Sequence, residues 1–344
     1  MYEDFYNLSG RPFQLTPDPR FYYSSRSHKK AMAYLTYGLS QGEGFIIVTG
    51  DIGTGKTTLV RHLFDTLDRN EFVAALIVST QLSADDLLRT VAAAYGLDTQ
   101  AEEKGELITR LERFLREQNS LGKRVLLVVD EAQNLSSAAL EEMRMISNFQ
   151  SGEDALLQSF LVGQPEFRTR IFNAPELEQL RQRVIATHHI DPMEPEEVAD
   201  YIEHRLSLVG WDGDPEFDIE AVAEIYDYTQ GVPRILNTLM SRILLYGSLE
   251  EVHEITGDVV RKVISEMAEN QGAKGRVQSQ QSGPTLTAKD DMAPLSQMEQ
   301  ERDTAKEEAD HLRSKVNNLE EYIKSQEDSL KKLTEMVSKL SDKD

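Results

Sequence analysis

The chain has 344 residues, with 37 Lys and Arg against 59 Asp and Glu, a formal net charge of -22 at pH 7, and no cysteine. This charge gives no general attraction to a phosphate backbone, so nucleic-acid binding would need a local basic patch. The lack of cysteine excludes disulfides, thiolate zinc sites and a cysteine nucleophile, and it fits a reducing compartment. The length and a hydrophobic content of 40% predict a sizeable core with one or two smaller units beside it.

The sequence shows no pattern typical of export or membrane insertion. The opening MYEDFYNLSG is acidic and lacks the basic and then apolar layout of a signal peptide. The longest apolar stretches, such as Val125 to Val129, are far shorter than the roughly 18 residues of a spanning helix. We therefore expect a cytoplasmic protein.

Residues 1–190 alternate short apolar runs with helical or loop segments. The predicted strands are Phe45 to Thr49, Ala74 to Ser79, Val125 to Val129, Ser159 to Val162 and Ile185 to Ile190. Continuous Val, Ile and Leu runs are typical of strands covered on both faces, and the alternation predicts a parallel sheet. Two crossover segments, Ala84 to Tyr95 and Lys104 to Glu117, have helical character. The fold class is therefore α/β.

After residue 190 the pattern changes three times. Residues 191–268 contain helical segments without strand signals, which predicts a small helical second domain. Residues 269–296 are rich in Gln, Ser, Gly, Thr and Pro, which predicts a flexible linker. In residues 297–341, apolar side chains recur at alternating steps of four and three, interrupted by Gln326. This heptad pattern predicts a coiled coil, with a single amphipathic helix packed on its own domain as the alternative.

The sequence GDIGTGKTT follows the first predicted strand and matches the phosphate-loop pattern G-x-x-x-x-G-K-[ST]. Glycines let the backbone amides turn toward phosphate oxygens, and the helix that follows adds its positive end. Lys56 is predicted to hold the β and γ phosphates, and Thr57 to bind magnesium. The alternative is a coincidental turn. The residues predicted to bind the nucleotide are Gly50, Asp51, Ile52, Gly53, Thr54, Gly55, Lys56, Thr57 and Thr58.

A second motif, VLLVVDEAQNL, ends a buried strand with Asp130 and Glu131. Acids at the carboxyl end of a parallel strand are typical of a ligand site. Asp130 is predicted to support magnesium, and Glu131 to orient and polarise the attacking water. In the alternative interpretation both acids only solvate the end of the strand.

These residues resemble the AAA+ ATPases and, more narrowly, the general secretion pathway protein A (ExeA-like) group. The resemblance runs from near residue 1 to about 268 and rests on MYEDFYNLSGRPFQLTPDPRFYYSS, TGDIGTGKTT, VVDEAQNL, SFLVGQPEF, LRQRV and GVPRILN. It is strongest to ATPases that accompany exosortase and PEP-CTERM sorting systems, which are linked with exopolysaccharide production. It implies an AAA+ sheet with helices on both faces, a helical lid, and ATP with Mg²⁺ as cofactors.

The resemblance also implies roles for polar residues outside the two motifs. Gln164 occupies the position that senses the γ phosphate, where many relatives have Asn or Thr. Arg181 and Arg183 resemble the pair from which a neighbouring subunit donates an arginine finger. The alternative is that both arginines bind carboxylates of their own chain. Arg234 matches a lid residue that reaches the phosphates, or it braces the lid locally.

Five further positions have weaker signals. Phe13, Pro17 and Pro19 are expected to line or support the base pocket, with core packing as an equal alternative. His188 and His189 end a predicted strand, where a metal site would need partners that the sequence does not offer. We therefore expect core or edge histidines.

Three functions remain open from the sequence. The first is an ATPase whose cycle drives a conformational change in an envelope-secretion component, contacted through the coiled coil. The second is a nucleotide-gated adaptor with negligible turnover, and the third a DNA-associated regulator. Without the 12 basic and 15 acidic residues after Asn270, 25 basic and 44 acidic residues remain, a charge of -19 that disfavours DNA. We expect a homo-oligomer that reaches the inner face of the inner membrane only through a partner.

Overall fold

The structure of the protein is a computed structural model that describes residues 2–16, 18–78, 82–100, 103–152 and 154–277, with the backbone alone from residue 270. Apart from the last three residues, the described chain belongs to one compact unit that ends at Lys274. The predicted coiled coil at 297–341 lies outside the described residues.

Twelve helices and nine strands make up the described part of the chain. The helices are α1 (Tyr2–Phe5), α2 (Arg26–Gln41), α3 (Lys56–Thr66), α4 (Ala84–Ala94), α5 (Lys104–Ser120), α6 (Ser137–Ile146), α7 (Pro165–Asn173), α8 (Glu178–Arg181), α9 (Pro195–Ser207), α10 (Ile219–Thr229), α11 (Pro233–Leu249) and α12 (Gly257–Val277). The strands are β1 (Phe45–Gly50), β2 (Phe72–Val78), β3 (Arg124–Asp130), β4 (Gln150–Ser151), β5 (Asp154–Ala155), β6 (Leu157–Gly163), β7 (Val184–Ile190), β8 (Glu216–Phe217) and β9 (Glu254–Ile255).

The main sheet is parallel throughout and has the strand order β2-β3-β6-β1-β7. The predicted parallel sheet is therefore confirmed, and each predicted strand lies within one observed strand except at Ser79, which lies outside the described residues. Strands β1 and β6 are buried along their whole length, which is why their sequences are mostly apolar and do not alternate strictly with polar residues.

Helices cover both faces of the sheet. Alternate residues of β1 point to opposite faces, so Phe45 and Ile47 join one buried cluster while Ile46 and Val48 join the other. The first cluster is completed by α4, α5, α6 and α7, and the second by α2 and α3. Burying each of these large apolar side chains contributes about 1.5–3 kcal/mol, which fixes the sheet between its two helical layers.

Residues beyond β7 form a helical part with its own core. Helices α9 to α12 pack around Leu236, Leu239, Met240 and Ile243 of α11. The prediction of an all-helical unit is wrong in one detail, because β8 and β9 form a short parallel pair within it. Strands of only two residues are too short to show a periodic pattern that could be found in a sequence.

Two predicted boundaries also differ from the structure. The sequence predicts that the opening segment belongs to the sheet domain at 1–190, but its buried Tyr2, Tyr6 and Phe13 join the core of the helical part. The predicted linker begins at 269, whereas α12 continues to Val277. The residues from 266 to 277 include Glu, Met, Ala and Lys, which favour helix and outweigh the two glycines.

Candidate functional site

The GDIGTGKTT segment forms a tight loop between the end of β1 at Gly50 and the start of α3 at Lys56. A Cβ atom at Gly50 would lie 2.8 Å from Thr54 Oγ1 and 2.9 Å from the carbonyl oxygen of Ile190. Gly53 and Gly55 have φ angles of +90° and +93°, which other residues rarely adopt. Glycine is therefore required at all three positions, and the loop leaves the amino terminus of α3 open to an anion.

Lys56 is folded back onto this loop. Its ammonium donates to the carbonyl oxygens of Gly50 and Asp51 over 2.7 and 2.8 Å, and the residue is only 7% exposed. Burial lowers the pKa of Lys56, and the charges of Glu131 and Asp130 oppose that effect. A buried cation held by backbone oxygens next to two acids can move its hydrogen bonds to phosphate oxygens without leaving the loop.

The other predicted loop residues have different exposures. Asp51 is exposed and takes part through its carbonyl oxygen, which also accepts from Thr54. Ile52 is 63% exposed at the rim of a cavity of about 380 Å³, and Thr58 lines the same cavity. Both residues therefore face space that a ligand can fill.

Thr57 and Asp130 meet across the gap between α3 and β3. Thr57 Oγ1 donates to Asp130 Oδ2 over 2.7 Å, and Asp130 Oδ1 accepts from the amide of Glu131 over 2.9 Å. Asp130 is only 2% exposed. Hydroxyl and carboxylate groups are the hard oxygen donors that Mg²⁺ prefers. The described residues contain no cluster of three or more His, Asp or Glu that could hold a metal. The pair therefore fits a magnesium ion that takes its remaining ligands from water and phosphates.

Glu131 lines the cavity directly after β3, in a left-handed backbone conformation with φ of 54°. Its carboxylate accepts a hydrogen bond from Gln133 Nε2 over 2.6 Å. The other end of the Gln133 amide, Oε1, accepts from the backbone amide of Gln164 over 3.1 Å. Gln164 itself lines the cavity at the end of β6, as its predicted role requires.

Gln133 is one of the site residues that the sequence did not predict, as are His28, Tyr201, Arg205 and Asn237 of the cavity wall. It lies in a short turn, 132–134, that follows Glu131. Its side chain joins the ends of β3 and β6, and Gly163 leaves room for it because a Cβ there would lie 3.0 Å from Gln133 Oε1. The signal in the sequence was a Gln two residues after a predicted catalytic acid.

Arg181 and Arg183 are absent from the lining of the cavity. Arg181 donates to the carbonyl oxygen of Phe172 over 2.6 Å, and Arg183 donates to the carbonyl oxygen of Ser147 over 3.1 Å. Neither forms an ion pair with a carboxylate among the described residues. Within the described chain, the two arginines therefore bind backbone carbonyls and not the carboxylates that the alternative interpretation had required. The finger role stays a prediction.

Arg234, by contrast, lies at the cavity. It follows Pro233 in the first turn of α11, and its backbone amide donates to the carbonyl oxygen of Gly53 over 3.2 Å. A Cβ on Gly53 would lie 2.7 Å from Arg234 Cβ. The phosphate loop and the helical part are thus in direct contact at these two residues.

The rest of the cavity wall comes from the opening segment and from α9 and α11. Phe13 does not line it but is buried in the helical core, as the core-packing alternative required, while nearby residues 14–16 and 21–23 do line it. Pro19 begins a short helical turn, and Pro17 lies outside the described residues. His28 lies buried against the loop, because a Cβ on Gly55 would be 2.9 Å from its Nε2.

His188 and His189 lie on the edge strand β7, and they belong to no group of three or more metal-binding side chains among the described residues. The ring of His188 stacks on Tyr34 with centroids 5.2 Å apart, and His189 Nδ1 lies 3.1 Å from Thr49 Oγ1. Both are therefore edge histidines with structural partners.

Comparison with known proteins agrees with this geometry. Residues 39–171 match the AAA domain family. The chain is 36% identical over 261 residues to a General secretion pathway protein A of Aeromonas hydrophila, which covers 75% of this chain. The match spans 47% of that relative, so the chain corresponds to about half of its length.

Similar solved structures include the following two proteins. The ORC2 protein of Aeropyrum pernix, solved as ADPNP–ADP complexes, superposes with a TM-score of 0.55 at 16% identity, covering 74% of this chain and 71% of that one. CDC6P of Pyrobaculum aerophilum superposes with a TM-score of 0.56 at 17% identity, covering 74% and 70%. At these identities the likeness shows the fold alone, which is that of an AAA-type P-loop NTPase.

Proposed function

We propose that this chain, which carries an AAA domain and is related to General secretion pathway protein A, binds ATP with Mg²⁺ and hydrolyses it to drive a conformational change. One observation carries the proposal: a single cavity is lined by the phosphate-loop Lys56 and Thr57, the acid Glu131 and, from the helical part, Arg234. Groups for binding, water activation and conformational coupling therefore face one ligand.

Each of these residues has a definite task in hydrolysis. Lys56 and the amides at the start of α3 hold the phosphates, and Thr57 with Asp130 holds the magnesium ion. When bound, the ion neutralises charge on the transferred phosphate. Glu131 accepts a proton from the attacking water and orients it, while Gln164 lies at the end of β6 to contact the γ phosphate.

The contact between Gly53 and Arg234 supports coupling to conformation. A change at the phosphates moves the loop, and the loop meets the first turn of α11 through the 3.2 Å bond between Gly53 and Arg234. Because Arg234 has no polar side-chain partner among the described residues, its guanidinium is available to a phosphate. The angle of the helical part then depends on the nucleotide state.

For the pathway, we propose a role in envelope secretion at the inner face of the inner membrane, reached through a protein partner. The name of the Aeromonas hydrophila relative supports secretion, and the resemblance stated for the sequence supports a PEP-CTERM, exosortase or exopolysaccharide system. Among the described residues, no helix is long and apolar enough to cross a membrane. The predicted coiled coil at 297–341 would contact the partner, and a homo-oligomer would supply the arginine finger.

Nucleotide binding is tested first. Purified protein is titrated with ATP and Mg²⁺ by calorimetry, and phosphate release is followed in parallel. Lys56→Ala should weaken binding at least about tenfold, since it removes a buried charge-assisted contact. Lys29→Ala, which changes an exposed lysine of α2, is the matched control. Equal affinities for the wild type and both variants would contradict the proposal, and tight binding without any turnover would favour the nucleotide-gated adaptor.

The partner proposal has its own test. A chain lacking residues 297–344 is compared with the full chain for phosphate release and for crosslinking to envelope proteins in cells. We expect unchanged basal phosphate release and loss of the crosslinked partner. Retention of the same crosslinked partner would contradict a role for the tail in binding. A DNA-mobility assay on the full chain tests the regulator alternative, for which a charge of -19 before residue 271 predicts no shift.

A further inference from the structure

Arg205 is a buried cation whose donors lack partners. It lies on α9, is 5% exposed, and neither its Nε nor its Nη1 has a hydrogen-bond partner. Asp18, the acid whose charge acts on it, binds the exposed Arg20 instead, over 2.7 Å. Buried donors on a charged group are costly to leave unsatisfied, so this arrangement calls for an acceptor from outside the described chain.

The surroundings of Arg205 show where that acceptor would lie. Arg205 lines the same cavity as the phosphate loop. Its guanidinium lies over the ring of Phe21 at 5.0 Å and over that of Tyr201 at 5.4 Å. Next to it, the hydroxyl of Tyr201 donates to Asn237 Oδ1 over 2.8 Å. This bond uses the oxygen of the Asn237 amide and not its Nδ2 donors, and Asn237 lines the cavity. This part of the wall is aromatic and rich in donors.

We infer that Arg205 is a specificity-determining residue that donates hydrogen bonds to ring-nitrogen acceptors of the purine base. The inference rests on the proposed nucleotide binding and extends it to the base. The loop around Lys56 supplies contacts for phosphates, so the aromatic wall formed by residues 21–23 and Tyr201 remains for the flat base. A guanidinium stays protonated and only donates, and purine ring nitrogens offer acceptors in the plane of the base.

A purely structural role would use the same contacts differently. By stacking on Phe21, Arg205 also holds the opening segment against α9. Loss of that contact would weaken the binding of every nucleotide equally. Loss of base recognition would instead weaken the binding of only those ligands that still carry the contacted ring nitrogen. A comparison of analogues therefore separates the two roles.

The experiment measures dissociation constants of the full chain for ATP and for its 1-deaza, 3-deaza and 7-deaza analogues, in each of which one ring nitrogen is replaced by C–H. Turnover is blocked with Glu131→Gln. The variants are Arg205→Met, Arg205→Lys, and Arg242→Met, which changes an exposed arginine on α11 of the same helical part.

We expect the protein with Arg205 to bind at least one deaza analogue about tenfold more weakly than ATP, and Arg205→Met to bind ATP about tenfold more weakly without distinguishing that analogue. Arg205→Lys should fall between them, and Arg242→Met should behave like the unchanged chain. Equal weakening of ATP and all three analogues by Arg205→Met would overturn the inference.

The unchanged chain provides a test that does not depend on whether Arg205→Met folds. If it binds ATP and all three deaza analogues equally tightly, no ring nitrogen is recognised and the inference is wrong. A preference for ATP over 2′-deoxy-ATP, without any preference over the deaza analogues, would show recognition of the ribose and not of the base, and would also overturn the inference. In both cases the proposed function survives, whereas failure of the unchanged chain to bind ATP at all would sink the proposed function itself.

Discussion

Gln133 donates a hydrogen bond to the carboxylate of Glu131 over 2.6 Å and so links the acid to the neighbouring strand. The same amide accepts from the backbone of Gln164 over 3.1 Å, and therefore both of its ends are fixed. A carboxylate oriented in this way is held near the end of β3 rather than rotating into solvent. The bond makes Gln133 a positioning residue for the proposed reaction.

Replacing Gln133 by Ala should lower the rate of phosphate release about tenfold, because a hydrogen bond to a charged group contributes roughly 1.5 kcal/mol. The dissociation constant for ATP should not change, since Gln133 is not among the described residues that line the cavity. Steady-state kinetics with calorimetric binding checks both values. Gln41→Ala, at the exposed end of α2, is the control. A parallel loss of binding and turnover would argue that Gln133 only supports the local fold.

One of the two variants Arg181→Ala and Arg183→Ala should lose turnover by a factor of about 10³ or more, because it removes the arginine finger. Its ATP binding should stay intact. Each guanidinium now binds a carbonyl of its own chain, so a finger would have to exchange that bond for the neighbour's phosphate. Mixing the inactive arginine variant with Lys56→Ala, which still carries both arginines, should restore part of the activity. No recovery on mixing would show that the arginine acts within its own subunit.

The buried His28 should make the protein less stable in mild acid. Burial lowers its pKa to about 4, and Nδ1 lies 2.7 Å from Ser25 Oγ. Because the folded-state pKa lies below the ordinary 6.5, the stability is full above pH 6.5 and is lost as the pH falls toward 4. The loss amounts to about 3 kcal/mol, from roughly 1.4 kcal/mol per unit of pKa.

Denaturant unfolding at several pH values across that window tests the effect of His28. The free energy of unfolding of His28→Gln should fall less between pH 6.5 and 4 than that of the unchanged chain. Gln41→Ala, at the exposed end of α2, is the control because it changes no titratable group. Identical slopes for the unchanged chain and His28→Gln would rule out a buried neutral His28.

Gly231→Ala should destabilise the junction between the sheet and the helical part. Gly231 has a φ of +68°, and a Cβ there would lie 1.9 Å from the carbonyl oxygen of Met193. We expect a loss of at least about 2 kcal/mol, because both the backbone conformation and the contact are unfavourable. Gly210→Ala has a similar φ of +82° but open space around the Cβ, so it measures the conformational part alone. Equal unfolding free energies for the two variants would contradict the close approach.

The sheet and the two motifs were predictable because their signals are local. Continuous apolar runs such as Val125 to Val129 are long enough to identify buried strands, and the phosphate loop requires glycines at fixed spacing. Since parallel strands end at one edge of a sheet, the sequence places Asp130 and the phosphate loop at the same edge, whereas the direct contact of Asp130 with Thr57 depends on the lateral order of the strands.

The remaining features depend on contacts between distant parts of the chain. The side chain of Gln133 reaches Gln164, and Arg205 lies over Phe21, at separations that no sequence period encodes. Phe13 packs in the helical core because the opening segment crosses to α11, a path that its composition does not indicate. The sequence likewise did not indicate that Arg181 and Arg183 donate to backbone carbonyls of their own chain.

The most direct test of the central claim compares magnesium-dependent phosphate release by the unchanged chain and Glu131→Gln across a series of protein concentrations, with ATP binding measured alongside. We predict turnover that rises more than linearly with protein concentration and vanishes in Glu131→Gln, while ATP binding remains. Phosphate release that persists in Glu131→Gln, or that is lost together with binding, would contradict the assignment of Glu131 and the proposed ATPase built on it.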